Sequence, residues 1–244
     1  MNSPVLEMLE FTAASLRDVD AVLVADVNWR VAAGDFWCVS GAGGSGKSEF
    51  LLLAAGLLAP LRGTLKLFGE ELPETEEAQL EQRLKLGFVF DGGNLFNHLT
   101  VAENLALPLR YHRELSVSEL SERVETLLEF AELTPWANST PGALGRNWQK
   151  RAGLMRAVAL QPELLLLDNP LGGADARHAA WWQTTLGQLA AGHWSMPDKR
   201  ATTLVVTTDD AQLWQNRARQ FARLQDGRFE VPTKEVLAAA ITKG

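Results

Sequence analysis

The stretch GAGGSGKS, residues 41–48, decides the fold, because it lies between an apolar run of strand length at 35–40 and a long apolar segment that begins at Lys47. It fits the pattern G-x-x-x-x-G-K-[ST], in which a glycine-rich backbone closes around phosphates, the lysine reaches the β- and γ-phosphate oxygens and the last hydroxyl ligates Mg²⁺. The alternative, a glycine-rich turn that fits by accident, is disfavoured by the flanking strand and helix. The candidate nucleotide-binding residues are Gly41, Ala42, Gly43, Gly44, Ser45, Gly46, Lys47 and Ser48.

Three continuous apolar runs of strand length follow, LGFVFD at 86–91, ELLLLD at 163–168 and TTLVVTT at 202–208. Such runs are typical of parallel strands that are buried on both faces. By contrast, TLKLFG at 64–69 alternates and predicts an edge or surface strand, while FARLQDGRFEV at 221–231 predicts a hairpin. We therefore expect an α/β fold with a mostly parallel core sheet and a small antiparallel β part.

A helical region separates the first two of these apolar runs. Ser116 and Glu119 fit a capping box at the start of one helix, and a second helix is predicted at 145–160. We expect a single domain over residues 1–244, with this helical lobe inserted at about 94–156.

Charge and composition disfavour several functions. The 244-residue chain has a formal net charge of -7, whereas binding to nucleic acid needs clustered Lys and Arg. The first residues include Glu7 and Glu10 and lack the basic region of a secretory signal, and no apolar run is long enough to span a bilayer. The single Cys38 lies in an apolar run, which predicts a packing role and fits a reducing compartment. We expect a cytoplasmic protein without a membrane span of its own.

Two longer stretches carry a resemblance to a known family. PGALGRNWQKRAGLMRAVALQPELLLLDNP at 141–170 resembles the signature helix and the Walker B strand of the nucleotide-binding subunits of ABC transporters. GFVFDGGNLFNHLTVAENLALPLR at 87–110 is similar to the Q-loop of that family and the segment after it. The residue pattern at 87–110 most resembles the subgroup that serves Mla- and Mce-type lipid transport across the cell envelope.

The resemblance implies a P-loop NTPase fold of the ABC type, with ATP and Mg²⁺ as cofactors. In the family two subunits pack head to tail, and each ATP lies between the phosphate loop of one and the signature motif of the other. The second subunit would be another copy or a different ATPase, and membrane permease subunits would hold the chain at the inner face of a membrane. Asp168 corresponds to the Walker B aspartate, which holds Mg²⁺ directly or through water, and Asp175 to the D-loop aspartate.

Other positions that the family uses for chemistry depart from its pattern. No aromatic residue lies between Thr12 and Val27, where the family has a ring that stacks on adenine, and Asp18 falls near its place. The remaining departures are Asn169 in place of the catalytic Glu, Thr208 in place of the switch His, Asp91 in place of the Q-loop Gln, and Gly145, Arg146 and Asn147 in place of Ser-Gly-Gly in the signature motif.

These departures predict that hydrolysis is weak or lost. An amide such as Asn169 can hold a water but cannot accept its proton, and loss of a general base costs about 10²–10⁴-fold in rate. Two rescues are open: Asp91 could act as a displaced base, and Arg146 could reach across the dimer to a phosphate as an arginine finger does. The alternatives are a solvated loop carboxylate for Asp91 and a surface charge for Arg146.

Two functions therefore compete. The first is an ATP-binding subunit of an ABC-type transport complex, lipid or envelope related, whose ATP binding drives or supports dimer closure. The alternative is a non-transport pseudo-ATPase that acts as an ATP-bound regulatory or assembly module. A P-loop kinase or a repair ATPase is disfavoured, because the sequence has no lid-type arginine cluster, coiled-coil insertion or zinc motif.

The segment after the Q-loop leaves one further choice open. Its apolar side chains either form a groove for a helix of a membrane partner or pack the helical lobe itself. They are Leu95, Phe96, Leu99, Val101 and Leu105.

Overall fold

The computed structural model describes residues 4–15, 22–73, 75–193 and 200–232, so Asp18 lies outside the described residues. The elements in chain order are β1 (Pro4–Ala14), β2 (Val22–Ala32), β3 (Phe36–Ser40), α1 (Lys47–Ala54), β4 (Arg62–Leu67), β5 (Glu70–Glu71), α2 (Glu76–Leu84), β6 (Leu86–Val89), α3 (Val101–His112), α4 (Val117–Phe130), α5 (Arg146–Val158), β7 (Leu164–Leu167), α6 (Ala176–Ala190), β8 (Thr203–Thr208), β9 (Gln220–Gln225) and β10 (Arg228–Glu230).

The chain divides into two compact units, one formed by Met1–Gln82 with Thr203–Gly244 and the other by Arg83–Thr202. The first unit contains the phosphate loop. The second contains α3, α4 and α5, which occupy the region predicted to be a helical lobe. Strands pair in parallel within each unit, and an antiparallel sheet is present in the first, so the predicted α/β fold is confirmed.

The phosphate loop of the first unit follows a strand with parallel neighbours on both sides. β3 pairs in parallel with β8 and with β9, and β9 turns back into the antiparallel β10. The two turn residues, Asp226 and Gly227, have φ angles of 50° and 73°, the conformation that a two-residue hairpin needs. The predicted hairpin is therefore confirmed.

The antiparallel sheet of the first unit has the strand order β2-β1-β4-β5. The alternation expected at 64–69 is present, since Leu65 and Leu67 are buried while the residues between and before them are partly exposed. Of the two positions expected for this strand, edge or surface, the edge position is excluded because β5 pairs with β4 on the side away from β1, while the partial exposure fits the surface position. A strand of two residues is too short to leave a periodic signal in the sequence.

Aromatic side chains connect this sheet to the elements that carry the loop. The Trp29 ring of β2 lies 5.6 Å from Phe50 of α1, 5.2 Å from Phe229 of β10 and 5.5 Å from Trp37 of β3, measured between ring centroids. Such pairs add about 0.5–1.5 kcal/mol each beyond their buried area, so they hold the start of α1 in place. Cys38 of β3 is fully buried, and burial raises its pKa to about 12, in agreement with the predicted packing role.

The second unit confirms the local predictions for helices. The capping box is present, with the Ser116 side chain accepting from the Glu119 backbone and the Glu119 carboxylate accepting from Ser116 N at 2.8 Å. α5 begins after Gly145 as its N-cap, within the predicted range. β6 and β7 pair in parallel, with Leu86 opposite Leu164, and all of β7 is buried.

The apolar residues after the Q-loop differ in burial, and two of the five have the packing role. Val101 and Leu105 are fully buried and pack the helical lobe. Leu95 and Leu99 are partly exposed, and Phe96 is 51% exposed. Within the described residues, no helix combines the length and the apolarity that crossing a membrane requires.

A close approach between two backbones places the Q-loop against α5. A Cβ on Gly153, in the middle of this helix, would lie 2.8 Å from the Gly93 Cα, and one on Gly93 would lie 2.4 Å from the Gln149 carbonyl oxygen. Only glycine permits contact at this distance. The contact fixes the loop that carries Asp91 beside the start of α5, the helix that corresponds to the signature helix.

We expect Gly153→Ala to lower the free energy of unfolding by about 1–3 kcal/mol, because the added methyl group overpacks a backbone contact. This outweighs the gain of up to about 1 kcal/mol that alanine brings to a helix interior. Urea unfolding measures the change. Gly142→Ala is the matched control, since nothing lies within 4 Å of the added Cβ. A Gly153→Ala variant as stable as the wild type would contradict the close contact.

Candidate nucleotide-binding site

The loop between β3 and α1 has the geometry expected of a phosphate-binding loop. The loop closes through a hydrogen bond of 3.0 Å from Ser45 N to the Ala42 carbonyl, and α1 starts directly after Gly46. Gly46 has a φ of 87°, which side chains rarely adopt, and a Cβ there would lie 2.1 Å from Leu23 Cδ1. Glycine is therefore required at the start of α1, where the backbone N–H groups of the first turn suit an anion.

Lys47 is the buried cation of this loop, with a relative exposure of 7%. Its Nζ donates to the carbonyl oxygens of Gly41 at 2.7 Å and Ala42 at 2.8 Å, and it pairs with Asp209 Oδ1 at 2.9 Å. The two carbonyls hold the ammonium group inside the loop. Asp209, directly after β8, did not appear among the residues that the sequence predicted for the site.

A pocket of about 460 Å³ lies outside the loop. Among the described residues no aromatic side chain lines it, and Asp18 lies outside them. Its lining is Ser15, Val22, Leu23, Ala42, Gly43, Gly44, Ser45, Gly46, Glu49, Gln225, Asp226 and Gly227. Beside the loop backbone, this lining offers the apolar side chains of Val22 and Leu23 and the carboxylates of Glu49 and Asp226.

Thr208 lies beside the loop but its side chain is engaged in its own turn. Its backbone oxygen accepts from Gly41 N at 3.2 Å, because β3 and β8 are in register at their last residues. Its hydroxyl donates to the Asp210 carbonyl at 3.0 Å and accepts from Asp210 N at 3.1 Å. The hydroxyl thus has a donor and an acceptor partner before any phosphate is present.

In the second unit, Asp91 and Arg146 contact each other, although the sequence presented them as two separate departures. Arg146 Nη2 lies 2.5 Å from Asp91 Oδ2, and Lys150 Nζ lies 2.6 Å from Asp91 Oδ1. Lys150 is 1% exposed, whereas Arg146 has an exposed side chain. Asp91 is therefore the anion that compensates a buried lysine, not a fully solvated carboxylate.

Lys150 also connects the signature helix to the residues after β7. Its Nζ donates to the carbonyl oxygens of Asn169 at 3.0 Å and Gly172 at 2.8 Å. Asn147 Nδ2 reinforces this contact by donating to Gly173 O at 3.2 Å. Asn169 has a φ of 45°, a conformation that asparagine tolerates better than most residues. Sequence reasoning missed Lys150; its place four residues after Arg146, on the same helix face, was the available signal.

The two aspartates that follow β7 differ in environment. Asp168 is 7% exposed, and its backbone N–H donates to Val89 O at 2.8 Å. Asp175 is the N-cap of α6, where Oδ1 accepts from His178 N at 2.8 Å. This backbone hydrogen bond lowers the pKa of Asp175. Asp175 therefore has a structural role as a helix cap in addition to the D-loop role that the resemblance implies.

A cluster of aromatic rings and cations, which the sequence did not predict, surrounds Arg151 beside the signature residues. The fully buried Arg151 guanidinium lies 4.1 Å from the Trp181 ring centroid and 4.5 Å from that of Trp148, and it pairs with Glu132 at 3.1 Å. The His178 ring packs edge-on against Trp148 at 4.9 Å. Burial, followed by the positive charge of Arg151, lowers the pKa of His178.

Comparisons with known proteins agree with this geometry. The family model described as ABC transporter matches residues 24–172. The sulfate/thiosulfate import ATP-binding protein CysA of Gloeobacter violaceus is 38% identical over 158 residues, which are 65% of this chain and 44% of that protein. The lipoprotein-releasing system ATP-binding protein LolD 1 of Chlorobium chlorochromatii is 28% identical over 93% of this chain and 89% of its own length. The chain spans about half the length of the CysA relatives it matches.

Among solved structures, the chain is similar to the ATP-binding cassette MJ0796 in a dimeric, post-hydrolysis state bound to ADP and Pi. The two share 26% sequence identity with a TM-score of 0.82, over 93% of this chain and 98% of that one. The fold is therefore that of an ABC-type P-loop cassette.

We expect Asp91→Asn to lower the free energy of unfolding by about 2 kcal/mol or more, because it removes the carboxylate that pairs with buried Lys150 and leaves a buried cation without that compensation. The matched variant Arg146→Gln removes an exposed partner of the same carboxylate and should cost less than about 1 kcal/mol. Urea unfolding of both variants measures the difference. Equal costs would contradict the compensating role of Asp91 toward Lys150.

The lowered pKa of His178 has a consequence for stability. The unfolded chain binds a proton near the ordinary histidine pKa of about 6.5, whereas folded His178 resists protonation. Stability is therefore lost as the pH falls through about 6.5, above the range in which the neighbouring carboxylates of Asp175 and Glu132 titrate. Arg151 and Arg177 are the cations that face His178, and their positive charge adds to the effect of burial.

We expect His178→Gln to flatten the dependence of the unfolding free energy on pH between about 7.5 and 5.5, measured by urea unfolding. The exposed His112 provides the control, since His112→Gln should keep the slope of the wild type. The same slope in wild type and His178→Gln would exclude His178 as its source.

Proposed function

Because the chain belongs to the ABC transporter family, we propose that it is an ATP-binding subunit of an ABC-type transport complex whose own site hydrolyses ATP very slowly or not at all. One observation carries the proposal. The phosphate loop keeps its full set of residues and a buried Lys47, while the positions that would activate and orient the attacking water hold Asn169 and Thr208.

ATP binding rests on groups that are intact. The backbone N–H groups at the start of α1 and the Lys47 ammonium supply most of the attraction for phosphates. For Mg²⁺ we propose Ser48, which offers a hydroxyl in the first turn of α1, and Asp168, which offers a largely buried carboxylate at the end of β7. Hydroxyl and carboxylate oxygens are the hard donors that Mg²⁺ prefers. The ion, when bound, neutralises charge on the phosphate oxygens.

Hydrolysis lacks a base among the residues proposed for the site. The Asn169 amide cannot accept a proton from water. The rescue through Asp91 is disfavoured because Arg146 and Lys150 bind its two oxygens, and the finger role of Arg146 is disfavoured by the same ion pair. The Thr208 hydroxyl is shorter than an imidazole, uncharged and bound within its turn.

The partners follow from the family. We propose that the chain pairs with a second ABC subunit, as a homodimer or a heterodimer, and that Gly145, Arg146, Asn147 and Asp175 face that subunit. Permease subunits would hold the pair at the cytoplasmic face of a membrane, and Leu95, Phe96 and Leu99 in the segment after the Q-loop would contact them. Since these signature residues differ from Ser-Gly-Gly, a homodimer would have two poor sites.

The relatives do not point to one transported substrate. CysA is named for sulfate and thiosulfate import and LolD for lipoprotein release, so the two relatives differ in cargo. A role in lipid or cell-envelope transport, expected from the residue pattern at 87–110, stays a prediction.

A second candidate function is favoured by the ion pairs of Asp91 and the bound Thr208 hydroxyl. In this alternative the chain is a pseudo-ATPase in which ATP stabilises the fold or a dimer and the protein regulates or assembles others without turnover. A ligand at 100 times its Kd stabilises the folded state by about 2.7 kcal/mol, which is enough for such a role. Turnover measured with the permease partners present separates the two functions.

We expect the purified protein to bind ATP and to release phosphate at a rate close to background. Asn169→Glu should raise turnover at least about tenfold by restoring a base. Asn169→Gln should not raise turnover, because glutamine has the length of glutamate but offers no base. The positive φ at Asn169 predicts that both variants lose about 1 kcal/mol of stability, so each is assayed below its unfolding temperature. Wild-type activity that Asp91→Asn abolishes would instead support Asp91 as the base.

A further inference from the structure

We propose that Asp209 is an internal anion that competes with nucleotide phosphates for Lys47 and thereby sets the affinity of the phosphate loop. The proposal rests on the proposed function, because it concerns the ligand that the loop would bind. It adds a residue that neither the sequence pattern nor the family resemblance pointed to.

The hydrogen-bonding capacity of Lys47 is the first step. An ammonium group has three N–H donors. Gly41 O, Ala42 O and Asp209 Oδ1 lie at 2.7, 2.8 and 2.9 Å from Nζ, so all three donors have a partner at short distance. A phosphate oxygen can bind this ammonium well only if one of the three partners leaves.

Asp209 is the partner that can leave. The two carbonyls belong to the backbone of the loop, so they can move only if the loop itself changes shape. The Asp209 side chain is 59% exposed, whereas the Lys47 side chain is 7% exposed. The carboxylate can therefore rotate into water at little cost, while the lysine stays in place.

Strand register explains why the carboxylate lies at the lysine. Ser40 and Thr208 are opposite each other in the parallel β3–β8 pair, and Gly41 N donates to Thr208 O at 3.2 Å. Asp209 is the next residue, so it leaves the sheet beside the first residue of the loop. The bonds between the Thr208 hydroxyl and the Asp210 backbone hold the turn that follows.

Charge decides the effect on a ligand. A buried ammonium group needs a nearby anion, and Asp209 supplies it when no nucleotide is bound. A triphosphate would bring several negative charges to the same ammonium, close to the Asp209 carboxylate. Like charges at short distance repel, so part of the binding free energy is used to move Asp209 away.

The test compares Asp209→Asn with Asp210→Asn. Both variants remove one negative charge at neighbouring positions, but Asp210 makes its side-chain contact with Gln212 N at 2.8 Å, a cap that asparagine can also supply. Binding of ATP, inorganic tripolyphosphate and adenosine to the full-length protein is measured by calorimetry, each with Mg²⁺ and with a chelator in its place. Unfolding curves without ligand verify that both variants fold.

Asp209→Asn should bind ATP and tripolyphosphate about three- to tenfold more tightly than the wild type, with or without Mg²⁺, and adenosine unchanged. Asp210→Asn should change each affinity by less than about twofold. If Asp209→Asn binds tripolyphosphate and the wild type does not, the proposal is supported in its strongest form.

Three results would overturn the proposal. If the wild type binds ATP and Asp209→Asn binds it with the same affinity, Asp209 does not compete with phosphates for Lys47, while the proposed function is unaffected. Weaker binding only when Mg²⁺ is present would make Asp209 a metal ligand. Absence of binding of any phosphate ligand by both proteins would contradict the proposed function as well.

Discussion

Burial of an ammonium group is the constraint on which the rest of the structure depends. Such a group is costly to remove from water unless hydrogen bonds and an anion compensate it. Lys47 receives this compensation from Gly41 O, Ala42 O and Asp209, and it is held where a phosphate would bind. The edge-on and tilted aromatic contacts of Trp29 keep the strand and helix that flank the loop in place.

The second unit uses the same arrangement outside the phosphate loop. Lys150 is also almost fully buried, and it too binds two carbonyls, of Asn169 and Gly172, and one carboxylate, of Asp91. Through these bonds the signature helix, the Q-loop and the segment after β7 become one network. This network connects three positions at which the chain departs from its family: Asp91, Arg146 and Asn169. The Asp91 carboxylate and the Asn169 carbonyl bind Lys150, and Arg146 binds the same carboxylate.

The sequence predicted the features that depend on neighbouring residues. The phosphate loop, the hairpin at Asp226 and Gly227 and the capping box at Ser116 are local, so their spacing is sufficient. Contacts between distant parts of the chain could not be predicted: Asp91 and Arg146 are 55 residues apart, and Asp209 reaches Lys47 only through strand register. The pairing of β5 beside β4 was missed for another reason, since a strand of two residues leaves no periodic signal.

The proposed function requires that the protein binds ATP but hydrolyses it very slowly or not at all. The most direct measurement is the chemical identity of the bound nucleotide after the full-length protein has been incubated with Mg²⁺ and ATP, separated from free ligand and analysed by chromatography. The account predicts intact ATP on the wild type and no nucleotide on Lys47→Ala. Bound ADP with matching phosphate release would contradict it, as would a wild-type protein that retains no nucleotide.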